Sequence, residues 1–243
     1  MHRRSLFLLL AAGSLTACEP RATGTPRPSP SGAWSSAAPH AAVAADYRWF
    51  AAERDFGKGF CFTWIKDLTP QQVLQRLGAT ELERVSWQQV VGSGDGERGG
   101  DRYFFGVARV DDWSLMVEDN GTLGTVDERM APLSRGGTVI SHYRGGDGHG
   151  RLLLIADGVT GLDFDPLAAD RLRGSRAMEL RPVIDGAGFA YARRLRLAGD
   201  AAGYRAHCTQ AAFALTERLT GVPMTRELLD TKTYLLSTVP RST

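Results

Sequence analysis

The chain has 243 residues and a formal net charge of +2, and setting aside Arg3 and Arg4 leaves 27 basic against 27 acidic residues. Phosphate binding needs a concentrated basic face, so this balance argues against a nucleic-acid partner. No apolar run reaches the roughly 18 residues a helix needs to cross a bilayer, which excludes a polytopic reading.

The chain opens MHRRSLFLLLAAGSLTAC. Arg3 and Arg4 form a basic start, Leu6 to Leu10 with Ala11 and Ala12 an apolar block, and small residues lead to Cys18. This is the layout of a cleaved export signal, too short for a permanent span. The stretch Leu15-Thr16-Ala17-Cys18 resembles the bacterial lipobox. That resemblance implies a lipoprotein signal peptide over residues 1–17, a diacylglyceryl group on the Cys18 sulfur, and an extracytoplasmic protein held to the cell membrane by lipid. Two acyl chains hold stably where one is marginal, at about 0.8 kcal/mol per buried methylene. An ordinary cleaved signal with an incidental cysteine is the alternative. Arg3-Arg4 followed by Ser5, Leu6 and Phe7 also resembles a twin-arginine export signal, and the export route stays open.

Residues 18–45 read as a flexible tether. The stretch from Glu19 to Ala45 holds five of the chain's 11 prolines and few large apolar side chains, too few to offset the entropy of ordering. A coil of that length averages about 30 Å end to end.

Residues 46–243 form the folded body. Asp46 to Arg54 reads as a short entry helix, and Gly59 to Lys66 alternates Phe60, Phe62 and Trp64 against Cys61, Thr63 and Ile65, which predicts a strand. The next helix carries Thr69 as N-cap, Pro70 at its first position, Gln72 to complete a capping box and Gly78 to stop it. Trp87 to Val91 adds a helical turn before the glycine-rich loop from Gly92 to Gly100. Tyr103 to Val110 and Trp113 to Glu118 read as a hairpin through Asp111-Asp112. Asn120-Gly121 marks a turn and Val126 to Leu133 a short helix. Three strands follow, Thr138 to Arg144, Arg151 to Asp157 and Thr160 to Asp165. Tyr204, Cys208, Ala211, Ala212, Leu215 and Leu219 then form one helical stripe ended by Gly221 and Pro223, and Thr225 caps a last helix from Arg226 to Asp230. Short links between consecutive strands favour antiparallel pairing. The expected class is α+β: a single domain whose mostly antiparallel sheet is covered on one side by a C-terminal helix.

The segments WFAAERDFGKGFCFTWIKDLTPQQVLQRLGA, WSLMVEDNGTLG, MAPLSRGGTVISHYR and AAFALTERLTGV resemble a family of actinomycete proteins defined as a domain of unknown function. The likeness spans most of residues 47–240 and implies a single domain. It brings no activity, cofactor or site residue.

Chemical constellations in the body are weak. Gly94, Gly96 and Gly99 have a GxGxxG spacing, but the next element is a strand, whereas a dinucleotide site needs a helix there. MVEDNGTLGTVD imitates a calcium loop through Glu118, Asn120, Gly121 and Asp127, but places Met116 where an oxygen ligand belongs. Cys61 and Cys208 read as two buried thiols, with a disulfide closing a long loop or a nucleophile as the alternatives. His142, His149 and His207 lack metal-site spacing, and no HExxH or GxSxG occurs. His207 precedes Cys208, but neighbours on a helix diverge by about 100°, so adjacency makes no dyad. Asp157, Asp163 and Asp165 lie on neighbouring strands, and the inward Leu162 and Phe164 turn Asp163 and Asp165 toward water. Trp49, Trp64, Trp87 and Trp113 suit a core as well as a sugar platform. No cofactor is implied. The expectation is a lipid-anchored binding or interaction module for an envelope ligand or protein, with a cell-envelope hydrolase using dispersed residues as the alternative.

Overall fold

A computed structural model describes residues 41–52, 58–91 and 100–241. The signal region, Cys18, the tether up to residue 40, and Gly94, Gly96 and Gly99 lie outside those residues.

Local sequence explains the elements that position the rest. In β1 (Gly59–Lys66) the alternation places Phe60, Phe62 and Trp64 on one face and Cys61, Thr63 and Ile65 on the other, and all six are buried. Helix α1 (Pro70–Leu77) carries the anticipated cap: Gln72 N donates to Thr69 Oγ1 at 3.3 Å, and Thr69 N donates to Gln72 Oε1 at 2.8 Å. Its stop, Gly78, sits at φ 65°, a conformation glycine adopts without strain. The hairpin of β3 (Arg102–Val110) and β4 (Trp113–Asp119) forms as read, as does the meander of β5 (Thr138–Gly145), β6 (Gly150–Ala156) and β7 (Val159–Phe164).

Two strands escape the sequence reading. They are β2 (Thr80–Val85) and β8 (Tyr234–Pro240), which complete an eight-stranded antiparallel sheet in the order β2-β8-β3-β4-β1-β5-β6-β7. β8 inserts between β2 and β3, pairing Leu236 with Gly106. Two further helices, α4 (Ala177–Ile184) and α5 (Ala190–Leu197), were also not anticipated; Gly188 at φ 135° breaks the path between them. The remaining helices are α2 (Trp87–Val90), α3 (Asp127–Leu133), α6 (Ala201–Thr220) and α7 (Arg226–Thr231).

The C-terminal helix α6 covers one face of the sheet as expected, and the other face is covered as well. One face of the sheet packs Phe60, Phe62, Leu115, Ile140 and Leu152 against Ala212, Phe213 and Leu215 of α6. The other packs Ile65, Val107, Met116, Val139 and Leu153 against Val73 and Leu77 of α1 and Met130 and Leu133 of α3. The reason is legible in the runs themselves: Leu152-Leu153-Leu154-Ile155 is apolar on both sides of the pleat, so both sides must be covered.

The body also begins earlier than residue 46. Ala42 and Ala44 are buried, and Arg218 Nε donates to Ala42 O at 2.6 Å. The entry segment Ala44–Ala52 is a 3-10 helix kinked at Tyr47, whose hydroxyl donates to Glu217 Oε2 at 2.7 Å.

Candidate functional site

The register of β1 with β5 sets Phe60 opposite Arg144 and Phe62 opposite His142, so both polar side chains leave the sheet on the α6 side. There a cleft of about 460 Å³ opens between the end of β5, the Gly145–Gly150 loop, the turn from Asp165 to Leu167, residues 50–51, and α6. Arg144 stands opposite Gly150 in β6, which has no side chain to fill the space. A Cβ on Gly150 would come within 3.1 Å of Pro166 Cδ and of Tyr143 O.

His142 forms part of the wall, edge-on to Phe213 (centroids 4.5 Å) and Phe60 (5.1 Å). It is 1% exposed, and its Nδ1 has no hydrogen-bond partner among the described residues. Burial first, then the neighbouring Arg144 cation, pushes its pKa down to about 3, so the ring is neutral at physiological pH. The Arg144 guanidinium lies 4.9 Å over the Phe60 ring, and burial lowers its pKa. From the facing wall α6 presents Arg205, Cys208 and Thr209. Burial pushes the Cys208 thiol up to about 12. Asp165 also lines the cleft, but its Oδ1 accepts from Leu167 N at 2.8 Å and caps the following turn.

A second polar cluster lies on the opposite face. Glu118 is buried, and its carboxylate accepts from Leu123 N at 2.8 Å and Gly124 N at 2.9 Å. Beside it Cys61 Sγ is 3.3 Å from Ser141 Oγ, which is 3.0 Å from Thr63 Oγ1. Burial raises the Glu118 pKa to about 7 despite the opposing amide bonds, and burial raises the Cys61 thiol pKa as well.

The sequence candidates are dispersed. Cys61 and Cys208 are separate, buried thiols on opposite faces of the sheet, so the disulfide alternative is not formed. His149 is exposed, and the His207 ring bonds Gly188 O at 3.0 Å. Asp163 does not face water. It is buried on the face away from α6, where Arg151 Nε reaches it at 2.9 Å and Arg173 at 3.0 Å, because that face is also covered. Asp157 sits at φ 48° in the β6–β7 turn and accepts from Gly136 N. In the calcium-like stretch, Met116 is core, Asn120 takes φ 53° in the expected turn, Glu118 serves the backbone and Asp127 pairs with Arg151. Trp64, Trp87 and Trp113 are buried core residues, and Trp49 is partly buried against the same cluster, edge-on to Phe50. Among the described residues no group of three metal-ligating side chains converges, and no helix is long and apolar enough to cross a membrane. Arg205 escaped the sequence reading because nothing local distinguishes it from other helix arginines. The tertiary fold alone brings it to the cleft.

These features define an α+β domain with an antiparallel sheet between two helical layers and a cleft of a size that suits a small molecule. Residues 40–243 match the model of the family of unknown function DUF6461, and the chain belongs to that family. No curated protein and no solved structure matches it.

Proposed function

We propose that this is a lipid-anchored, extracytoplasmic domain whose cleft beneath α6 binds a small ligand without transforming it. Residues 1–17 direct export, Cys18 carries the lipid, and the proline-rich segment after it holds the domain off the membrane surface. The observation that carries the binding role is the cleft itself, about 460 Å³ with polar groups set in an otherwise apolar wall.

What favours binding over catalysis is the state of those groups. A general acid or base works best with a pKa near the working pH, and a cysteine nucleophile needs its thiolate. His142 is held neutral, Cys208 is held protonated, and Asp165 is engaged as a cap. A second reading, an envelope hydrolase, has Glu118 in its favour, because a pKa of about 7 suits proton transfer. Its two oxygens, however, accept buried backbone amides on the far side of the sheet from the cleft.

Metabolic labelling with a radioactive fatty acid tests the setting. The wild type takes up label and sediments with membranes, and Cys18→Ser loses both. An unlabelled wild type, or a variant that keeps its label, overturns the anchor.

A further inference from the structure

We infer that the cleft selects a small organic anion, a carboxylate or phosphate monoester carried on a compact apolar body; this rests on the reading of the cleft as a binding site. Two guanidinium-bearing residues line it from facing walls, Arg144 on β5 and Arg205 on α6. Arginine presents a planar fork of donors that matches the two oxygens of a carboxylate or phosphate. Asp165 also lines the cleft and keeps its negative charge while Oδ1 accepts from Leu167 N at 2.8 Å, so the three charged side chains of the lining, Arg144, Arg205 and Asp165, leave it net positive by one.

His142 completes the cleft wall with a ring that is neutral at physiological pH, so it adds no charge of its own beside the two guanidinium groups. The apolar part of the ligand meets Phe50, Pro166 and Leu167. A bare inorganic anion would leave that surface uncovered, which is why the inference specifies an organic body.

Ligand-observed saturation-transfer NMR on the full chain tests this with three observed probes, benzoate, phenyl phosphate and the neutral benzyl alcohol, and with inorganic phosphate, which has no carbon-bound protons, as a competitor. Benzoate or phenyl phosphate receives saturation, their relative strength separating carboxylate from phosphate, while benzyl alcohol binds at least about tenfold more weakly. Arg205→Ala, at an exposed helix position where alanine is well tolerated, weakens the bound anion by about tenfold, and inorganic phosphate competes weakly. Equal binding of benzyl alcohol and benzoate, or no effect of Arg205→Ala, overturns the selection of an anion and leaves the cleft a binding site. Saturation of none of the three observed probes overturns the anion inference and the binding reading together.

Discussion

Glu118 and Gly124 fix one another: the Gly124 N–H donates to Glu118 Oε2 at 2.9 Å, and this close approach survives because residue 124 has no side chain. A Cβ there would strike Thr63 Oγ1 and come within 2.6 Å of Cys61 Sγ and 2.7 Å of Ser141 Oγ. Those three side chains belong to β1 and β5 at the centre of the sheet, which have no room to retreat. Gly124→Ala is therefore expected to destabilise the domain by roughly 2 kcal/mol, read as a lower denaturant midpoint with an unchanged slope. An unchanged midpoint would mean that the 3-10 turn from Leu123 to Thr125 shifts freely.

The two faces of the sheet respond to acid in opposite senses. Burial raises Glu118 from 4.5 to about 7, so the folded state binds a proton that the unfolded chain has released. Its contribution is present below pH 4.5 and is lost as pH rises toward 7. Burial lowers His142 from 6.5 to about 3, so the unfolded chain binds the extra proton, and stability is lost as pH falls below 6.5. His207, lowered by burial as well, adds to the second sense. The lowered carboxylates Asp170, Glu179 and Asp185 act at or below the lower edge of this window. Between pH 4.5 and 6.5 Glu118 and His142 largely cancel in the wild type. Urea unfolding across that range should show Glu118→Gln steepening the rise of stability with pH by about 1.4 kcal/mol per unit, and His142→Leu shifting the slope downward by a similar amount. Parallel profiles for all three proteins would refute both assignments.

Asp163 separates a buried ion pair from a surface one within a single carboxylate. Arg151, with its side chain 24% exposed, bridges Asp163 and Asp127, whereas Arg173 is 75% exposed. Asp163 and Asp127 accordingly hold the Arg151 pKa above its ordinary value. Asp163→Ala leaves a part-buried guanidinium short of its main partner and should cost about 3 kcal/mol. Arg173→Ala removes a solvated contact and should cost under about 1 kcal/mol. Thermal or chemical unfolding of the two variants checks the contrast, and equal losses would place the network's value elsewhere.

Elements with a strong local signature were legible in the chain. Thr69, Pro70, Gln72 and Gly78 delimit α1 because capping and termination are chemistry within a few residues. The β1 alternation and the turn at Asn120-Gly121 hold for the same reason. Strands β2 and β8 did not announce themselves. Thr80–Val85 has charged residues in its middle and is mostly exposed, and β8 gains its place by pairing with β3, whose residues lie more than a hundred positions away. Pairing at that separation leaves no local trace. The reading of Asp163 as solvent-facing failed on the same ground, since alternation assigns a residue to a face and is silent on what covers that face.

The amino-acid sequence by itself determined the family, the α+β class, the helix boundaries with capping chemistry and the hydrophobic pattern that demands a core, because these depend on backbone preferences and on side chains a few residues apart. Tertiary structure alone decided that α6 covers one face of the sheet and α1 with α3 the other, that Cys61 and Cys208 lie on opposite sides of it, and that His142, Arg144 and Arg205 share one cleft. Burial, pKa and convergence are properties of distance in space, and between positions 142 and 205 that distance is set by the packing of α6 on the sheet.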